Sequence, residues 1–181
     1  MWRIAWSIPA FLAATTAASA QYPVSSYPVA SPGYSVSAAI GDWRRLRQSN
    51  GYTFADYARF LTYNPGWPEE SKLRLWAEKA MRPGENPATV LAFFATKPPT
   101  TGNGFARLAE AYASNGRNGE ALAAARSAWS EADLGSDSEQ AIWARFGSSF
   151  TADDHDRRVD ALLFAKNPDD AARYYSLTTP T

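Results

Sequence analysis

From Val36 onward the apolar side chains recur every three or four positions, and each such stretch closes on a proline, glycine or asparagine. That spacing lays apolar residues along one face of a helix with 3.6 residues per turn, and no convincing period-two alternation signals a strand. Ile40, Trp43 and Arg47 fall near one face of a first helix, with Leu46 beside Trp43. Thr53 can cap the next, with Asp56 three residues on, and Phe54, Tyr57, Ala58 and Leu61 form its stripe until Asn64-Pro65-Gly66. Pro68 is expected to open a third helix with Glu69 and Glu70 against its positive end; Leu73, Trp76, Ala77 and Ala80 carry it to Pro83-Gly84.

The same short helix and short break continue to the end. Asn86-Pro87 reads as a cap and first-turn proline ahead of Val90, Leu91, Phe93 and Phe94, and Lys97-Pro98-Pro99 closes that element. Phe105, Leu108, Ala109 and Tyr112 make another face ending at Asn115-Gly116, followed by a helix from about Asn118 to Trp129. Ser138 is a candidate cap for a helix carrying Ile142, Trp143 and Phe146. Thr151 with Asp154 precedes Val159, Leu162 and Leu163, and Pro168 opens a last helix ending near Leu177. About nine helices of two to four turns result. Helices this short are marginal alone in water, so each must pack on its neighbours.

Short antiparallel helices with short loops favour a stack of helix hairpins. Ala121, Ala124, Ala125 and Ala128 support this most strongly, because small side chains let two helix backbones approach closely. The expected fold is therefore all-α: an irregular, tetratricopeptide-like α-solenoid over residues 36–181, favoured over a closed bundle although no strict repeat is visible.

The first thirty-five residues obey a different pattern. Met1-Trp2-Arg3 is a short positive start, Ile4 to Ala14 is briefly apolar, and Ala18-Ser19-Ala20 is the small-residue pattern of a signal-peptidase site. Residues 1–20 are thus expected to be a signal peptide, making the protein periplasmic, and no stretch is apolar enough for an integral membrane span. Residues 21–35, with three prolines, four serines and no charge, are expected to be an extended, poorly ordered linker.

Composition narrows the chemistry. Lys plus Arg and Asp plus Glu both number 18, so there is no basic excess for phosphates and no nucleic-acid partner is expected. Without cysteine, packing must hold the fold, and 7 Trp, 9 Tyr and 9 Phe supply area for it. His155 is the sole histidine and sits on or beside an apolar face, where packing or capping suits it better than nucleophilic catalysis; one histidine cannot make a zinc site. Asp153, Asp154 and Asp156 open a helix and do not follow an EF-hand spacing, so no metal is expected. Gly102-Asn103-Gly104 lacks the remaining residues of a phosphate cradle, and no cofactor is expected. Glycoside chemistry can run on carboxylates alone, with Glu69, Glu70, Glu78, Glu110, Glu120, Glu131 and Glu139 as candidates, none in a distinguishing setting. The residues themselves supply no catalytic site.

One resemblance gives the chain a context. Phe150-Thr151-Ala152-Asp153-Asp154-His155, then Arg158-Val159-Asp160, Leu162-Leu163-Phe164 and Ala171-Ala172-Arg173, resemble a stretch of the soluble lytic murein transglycosylases of Gram-negative bacteria. Residues 54–81 and 93–129 are similar, in order, to earlier helix pairs of that family, and the resemblance covers roughly residues 38–178. It implies an α-superhelical region lying ahead of a lysozyme-like catalytic domain. That domain cleaves the bond between N-acetylmuramic acid and N-acetylglucosamine to a 1,6-anhydro product, using a glutamate in a Glu-Ser-x-Phe segment with a following Gly-Leu-Met-Gln. Here Glu70-Ser71 is followed by Lys72-Leu73, and no Gly-Leu-Met-Gln occurs, so the catalytic glutamate is not carried over. The chain is expected to be the non-catalytic portion, inactive alone, truncated at its C-terminus with Tyr174, Tyr175 and Leu177 as a bare edge, and acting on peptidoglycan strands through the missing domain. The alternative is a stand-alone periplasmic scaffold of tetratricopeptide type that binds a protein or peptide.

Overall fold

The computed structural model describes residues 35–180; the expected signal peptide and all of the expected linker except Ser35 lie outside the described residues. Within them the chain is all-helical and has no strand. The elements are α1 (Val36–Leu46), α2 (Phe54–Tyr63), α3 (Glu70–Ala80), α4 (Pro87–Phe94), α5 (Gly102–Ser114), α6 (Asn118–Trp129), α7 (Ser136–Phe146), α8 (Ala152–Phe164) and α9 (Pro168–Ala172), with 3-10 turns at Gly147–Ser149 and Tyr175–Leu177.

Local chemistry sets most of the helix ends. Thr53 and Thr151 each accept from the backbone N–H three residues on, while Asp56 and Asp154 accept from the cap residue's own N–H; both helices thus begin with a complete capping box. Asn86 caps α4 ahead of Pro87, and Thr101 caps α5. At the end of α5, Gly116 adopts φ +71°, a left-handed turn that costs a residue with a Cβ more than glycine, and α6 starts two residues later.

The dominant contacts join helices one or two places apart in chain order: α5 with α6 most extensively, then α4 with α5, α2 with α3, and the next-but-one pairs α2–α4, α3–α5, α5–α7 and α6–α8. In the α5–α6 hairpin Ala106, Ala109, Ala121, Ala125 and Ala128 have no exposed surface, as close backbone approach requires. The predicted stripe Phe54, Tyr57, Ala58 and Leu61 is buried, with Phe60 added.

Several expectations at element ends need correction. The third helix begins at Glu70, not Pro68: Glu69 sits in the left-handed region at φ 61° with no side-chain capping bond, because the Trp67-Pro68 turn must reverse the chain first. Ser138 caps nothing; α7 starts at Ser136, and Ser138 lies buried inside it, accepting from Arg107 Nη2 at 3.3 Å. The last helix stops at Ala172 and is resumed only as a 3-10 turn. Tyr174 is buried rather than a bare edge, while Tyr175 and Leu177 are exposed. Ile40 and Leu163 are exposed as well; Ala39 and Leu46 provide the buried face of α1.

Candidate functional site

The C-terminal stretch of the resemblance, residues 150–173, packs where α6, α7 and α8 meet. Trp129, at the end of α6, is 1% exposed and surrounded by Trp143, Phe150, His155 and Tyr174, with ring centroids 5.1–6.0 Å away. His155 Nδ1 accepts from the Trp129 indole N–H at 3.3 Å. Burial holds the imidazole below its ordinary pKa, against the opposing pull of Asp154 and Asp156, so the neutral ring is favoured. A histidine that serves as acceptor to an enclosed indole is committed to packing. Arg158, 1% exposed, donates to the Glu131 carbonyl and to Glu139, each at 2.6 Å, and its guanidinium lies over Trp129 and Tyr174. Arg173 meets the other Glu139 oxygen. Asp154 joins the Thr151 cap to Arg126 at 3.1 Å. Burial raises the Asp154 carboxyl, but the Thr151 amide and hydroxyl with Arg126 and Arg157 outweigh it and hold the group below its ordinary range.

A second buried centre stands at the start of α5. Glu78, on α3, is 1% exposed, and its carboxylate accepts from the backbone N–H and hydroxyl of both Thr100 and Thr101 at 2.8–3.2 Å. The helix N-terminus, which could draw an anionic ligand, is thus filled by the chain's own anion. This explains Gly102-Asn103-Gly104. A Cβ on Gly104 would lie 2.5 Å from Glu78 Oε2, and one on Gly102 3.0 Å from the Leu134 backbone. The glycines give room for internal packing.

The other candidate acids are scattered. Glu69 pairs with Arg47 and Lys72. Glu70 accepts from Lys97 at 2.6 Å and from the Gly66 amide at 2.9 Å; burial pushes it up, and these partners with Arg74 prevail and hold it low. Such an acid is ionised at neutral pH, the wrong state for protonating a leaving oxygen. Glu120 is exposed and bound to Arg117. Two carboxyls are held above their ordinary range: Glu110, by burial against the counter-pull of Arg107, and Glu131, by burial and Asp133. Neither is among the residues that line the five cavities described among residues 35–180. Glu139 lines a cavity of about 260 Å³ with Trp129, Trp143, Arg173 and Tyr174, but both its oxygens are taken by arginines.

A different kind of concavity lies at the other end. Val36, Ile40 and Trp43 of α1 face Tyr63, Trp67 and Pro68 across a groove of about 480 Å³ whose walls, among the described residues, carry no charged side chain. The Trp43 indole donates to the Pro68 carbonyl at 2.9 Å, which fixes one wall.

No family model, curated protein or solved structure matches the chain.

What sequence reasoning missed is a set of buried arginines. Arg74 donates to the Phe93 and Lys97 carbonyls at the end of α4, and Arg107 and Arg158 are each 1% exposed. A cue existed: Arg107 and Arg158 stand four residues before the buried Ala111 and Leu162, on the inward face of their helices.

Proposed function

We propose that this chain is the non-catalytic superhelical portion of a periplasmic lytic transglycosylase acting in murein turnover, with its helix hairpins wound as a tetratricopeptide-like solenoid. One observation carries the reading. Thr151 caps its own helix, while Asp154, His155 and Arg158 bind that helix to its neighbours through an ion pair to α6, an indole acceptor and a carbonyl-and-carboxylate clamp. They serve an array that positions something else. The solenoid arrangement is supported by contacts that link helices one or two places apart in order.

In this reading the chain confines or orients a glycan strand while a separate lysozyme-like domain performs the cleavage. The test is co-sedimentation with insoluble murein sacculi. Retention of the folded chain that soluble glycan fragments compete away is expected, and a chain left wholly in the supernatant overturns the reading. A second reading, the stand-alone scaffold for a protein or peptide, draws on the uncharged aromatic groove beside α1. Capture of one defined peptide, with no association with sacculi, would favour it.

A further inference from the structure

We propose that the groove between α1 and the α2–α3 turn is the docking site for this chain's own proline- and tyrosine-rich segment, residues 22–30. The inference is independent of any murein role.

The groove has the chemistry that extended proline-rich peptides use. Trp43, Tyr63 and Trp67 line it together with Pro65 and Pro68, and no charge interrupts it. Proline-rich segments populate a preformed left-handed extended helix and seat their rings on aromatic walls at little entropic cost. The walls are set in place: Trp43 is pinned to the Pro68 carbonyl, and Trp67 packs edge-on against Phe60 with centroids 5.9 Å apart. Yet Val36 and Ile40 on the α1 side of the groove remain 63 and 37% exposed, apolar surface open to a ligand.

The occupant follows from where the chain runs. Val36, the first residue of α1, is itself a lining residue, so the preceding chain leaves from the mouth of the groove. Ser31-Pro32-Gly33-Tyr34 carries the Pro-Gly pair that favours the two central positions of a type II turn. The proposal requires such a turn to return the residues before it along α1. From Val36 to Trp43 the helix advances about 10 Å, the distance that roughly three to four residues of polyproline II cover. Tyr27-Pro28-Val29-Ala30 fits that length and puts Tyr27-Pro28 at the end nearest the two tryptophans. Residues 21–34 hold no charged side chain, matching the uncharged walls. A short covalent tether also gives this segment an effective concentration on the order of millimolar, ahead of a free competitor of equal intrinsic affinity.

The absence of cysteine permits a clean test. In the chain from Gln21 to Thr181, Ser25→Cys carries a nitroxide, and the indole N–H signals of Trp43 and Trp67 are followed by NMR. The proposal expects both signals to lose most of their intensity at high dilution, to keep doing so when the labelled chain is diluted with unlabelled, NMR-silent chain, and to recover when Tyr27→Ser and Pro28→Gly are added. Those two changes lie before α1 in the sequence and leave every residue of α1 to α9 unaltered for the comparison. Broadening that decays only with sequence distance from residue 25 overturns the proposal. So does broadening of NMR-visible unlabelled chains mixed with nitroxide-bearing chains, which would make the occupant a second copy.

Discussion

Replacing Glu78 with glutamine probes the buried wiring at its most concentrated point. The carboxylate accepts from four donors at the start of α5 and is shut away from water. Glutamine keeps the shape but offers one acceptor oxygen, and turns an amide NH2 toward groups that also donate. Each buried donor left unmatched costs about 1–3 kcal/mol, and the lost charge at the helix N-terminus adds about 0.3–2 kcal/mol. With partial rearrangement of the two hydroxyls, the expected loss is about 3 kcal/mol, or a fall in Tm of roughly 6–12 °C for a domain of this size. Urea denaturation followed by far-UV circular dichroism measures it, with an unchanged m-value showing that both variants unfold the same surface. Glu120→Gln, at an exposed pair, is the control and should change stability by no more than about 0.5 kcal/mol. A Glu78→Gln loss no larger than that of the control would refute the assignment of Glu78 as the internal anion of α5.

Other perturbations follow from the same contacts. Gly104→Ala places a methyl 2.5 Å from the Glu78 carboxylate and should cost about 1–3 kcal/mol by the same denaturation assay, whereas Gly119→Ala, which meets nothing, should be neutral or stabilising. Arg158→Met keeps the bulk against Trp129 and Tyr174 but leaves one Glu139 oxygen and the Glu131 carbonyl unpaired; the expected loss is about 3 kcal/mol, and near-neutrality would show the clamp to be dispensable. His155 has a depressed pKa in the fold, so the unfolded chain takes up its proton first as pH falls below about 6.5, and stability falls in that direction by at most about 1.4 kcal/mol per pH unit. His155→Gln should flatten the stability profile between about pH 6.5 and 5, and an unchanged slope would place the limb elsewhere. Thr151→Ala removes half of a capping box and should cost about 0.5–2 kcal/mol, detectable as a lower denaturation midpoint.

Much of the fold was legible because local rules and tertiary packing agree. At Thr53, Asn86 and Thr151 the capping residue, the helical stripe and the buried face all coincide, so periodicity located both the element and its inward side. Legibility failed where a long-range partner decides. Ser138 has the residue type of a cap, but Arg107, thirty-one residues earlier, draws it into the interior. The start of α5 was invisible because two glycines there depress helix propensity, and their purpose depends on Glu78 from α3 and Leu134 beyond α6. Glu78 itself reads in sequence like any solvated glutamate. The uncharged groove is likewise a product of folding, since α1 and the Tyr63-to-Pro68 turn contribute opposite walls. The exposure of Ile40 follows from that groove: the stripe of α1 continues past the covered surface onto an open one.

The central proposal is that the acids and residues 150–173 of this chain hold helices together, with any sugar chemistry assigned to a separate domain. Incubation of the purified folded chain with murein, followed by mass analysis of released muropeptides, tests it most directly. The account predicts no 1,6-anhydromuramoyl product above a heat-inactivated control. Appearance of that product, abolished by a single substitution such as Glu110→Gln or Glu139→Gln that leaves the helical spectrum unchanged, would contradict it.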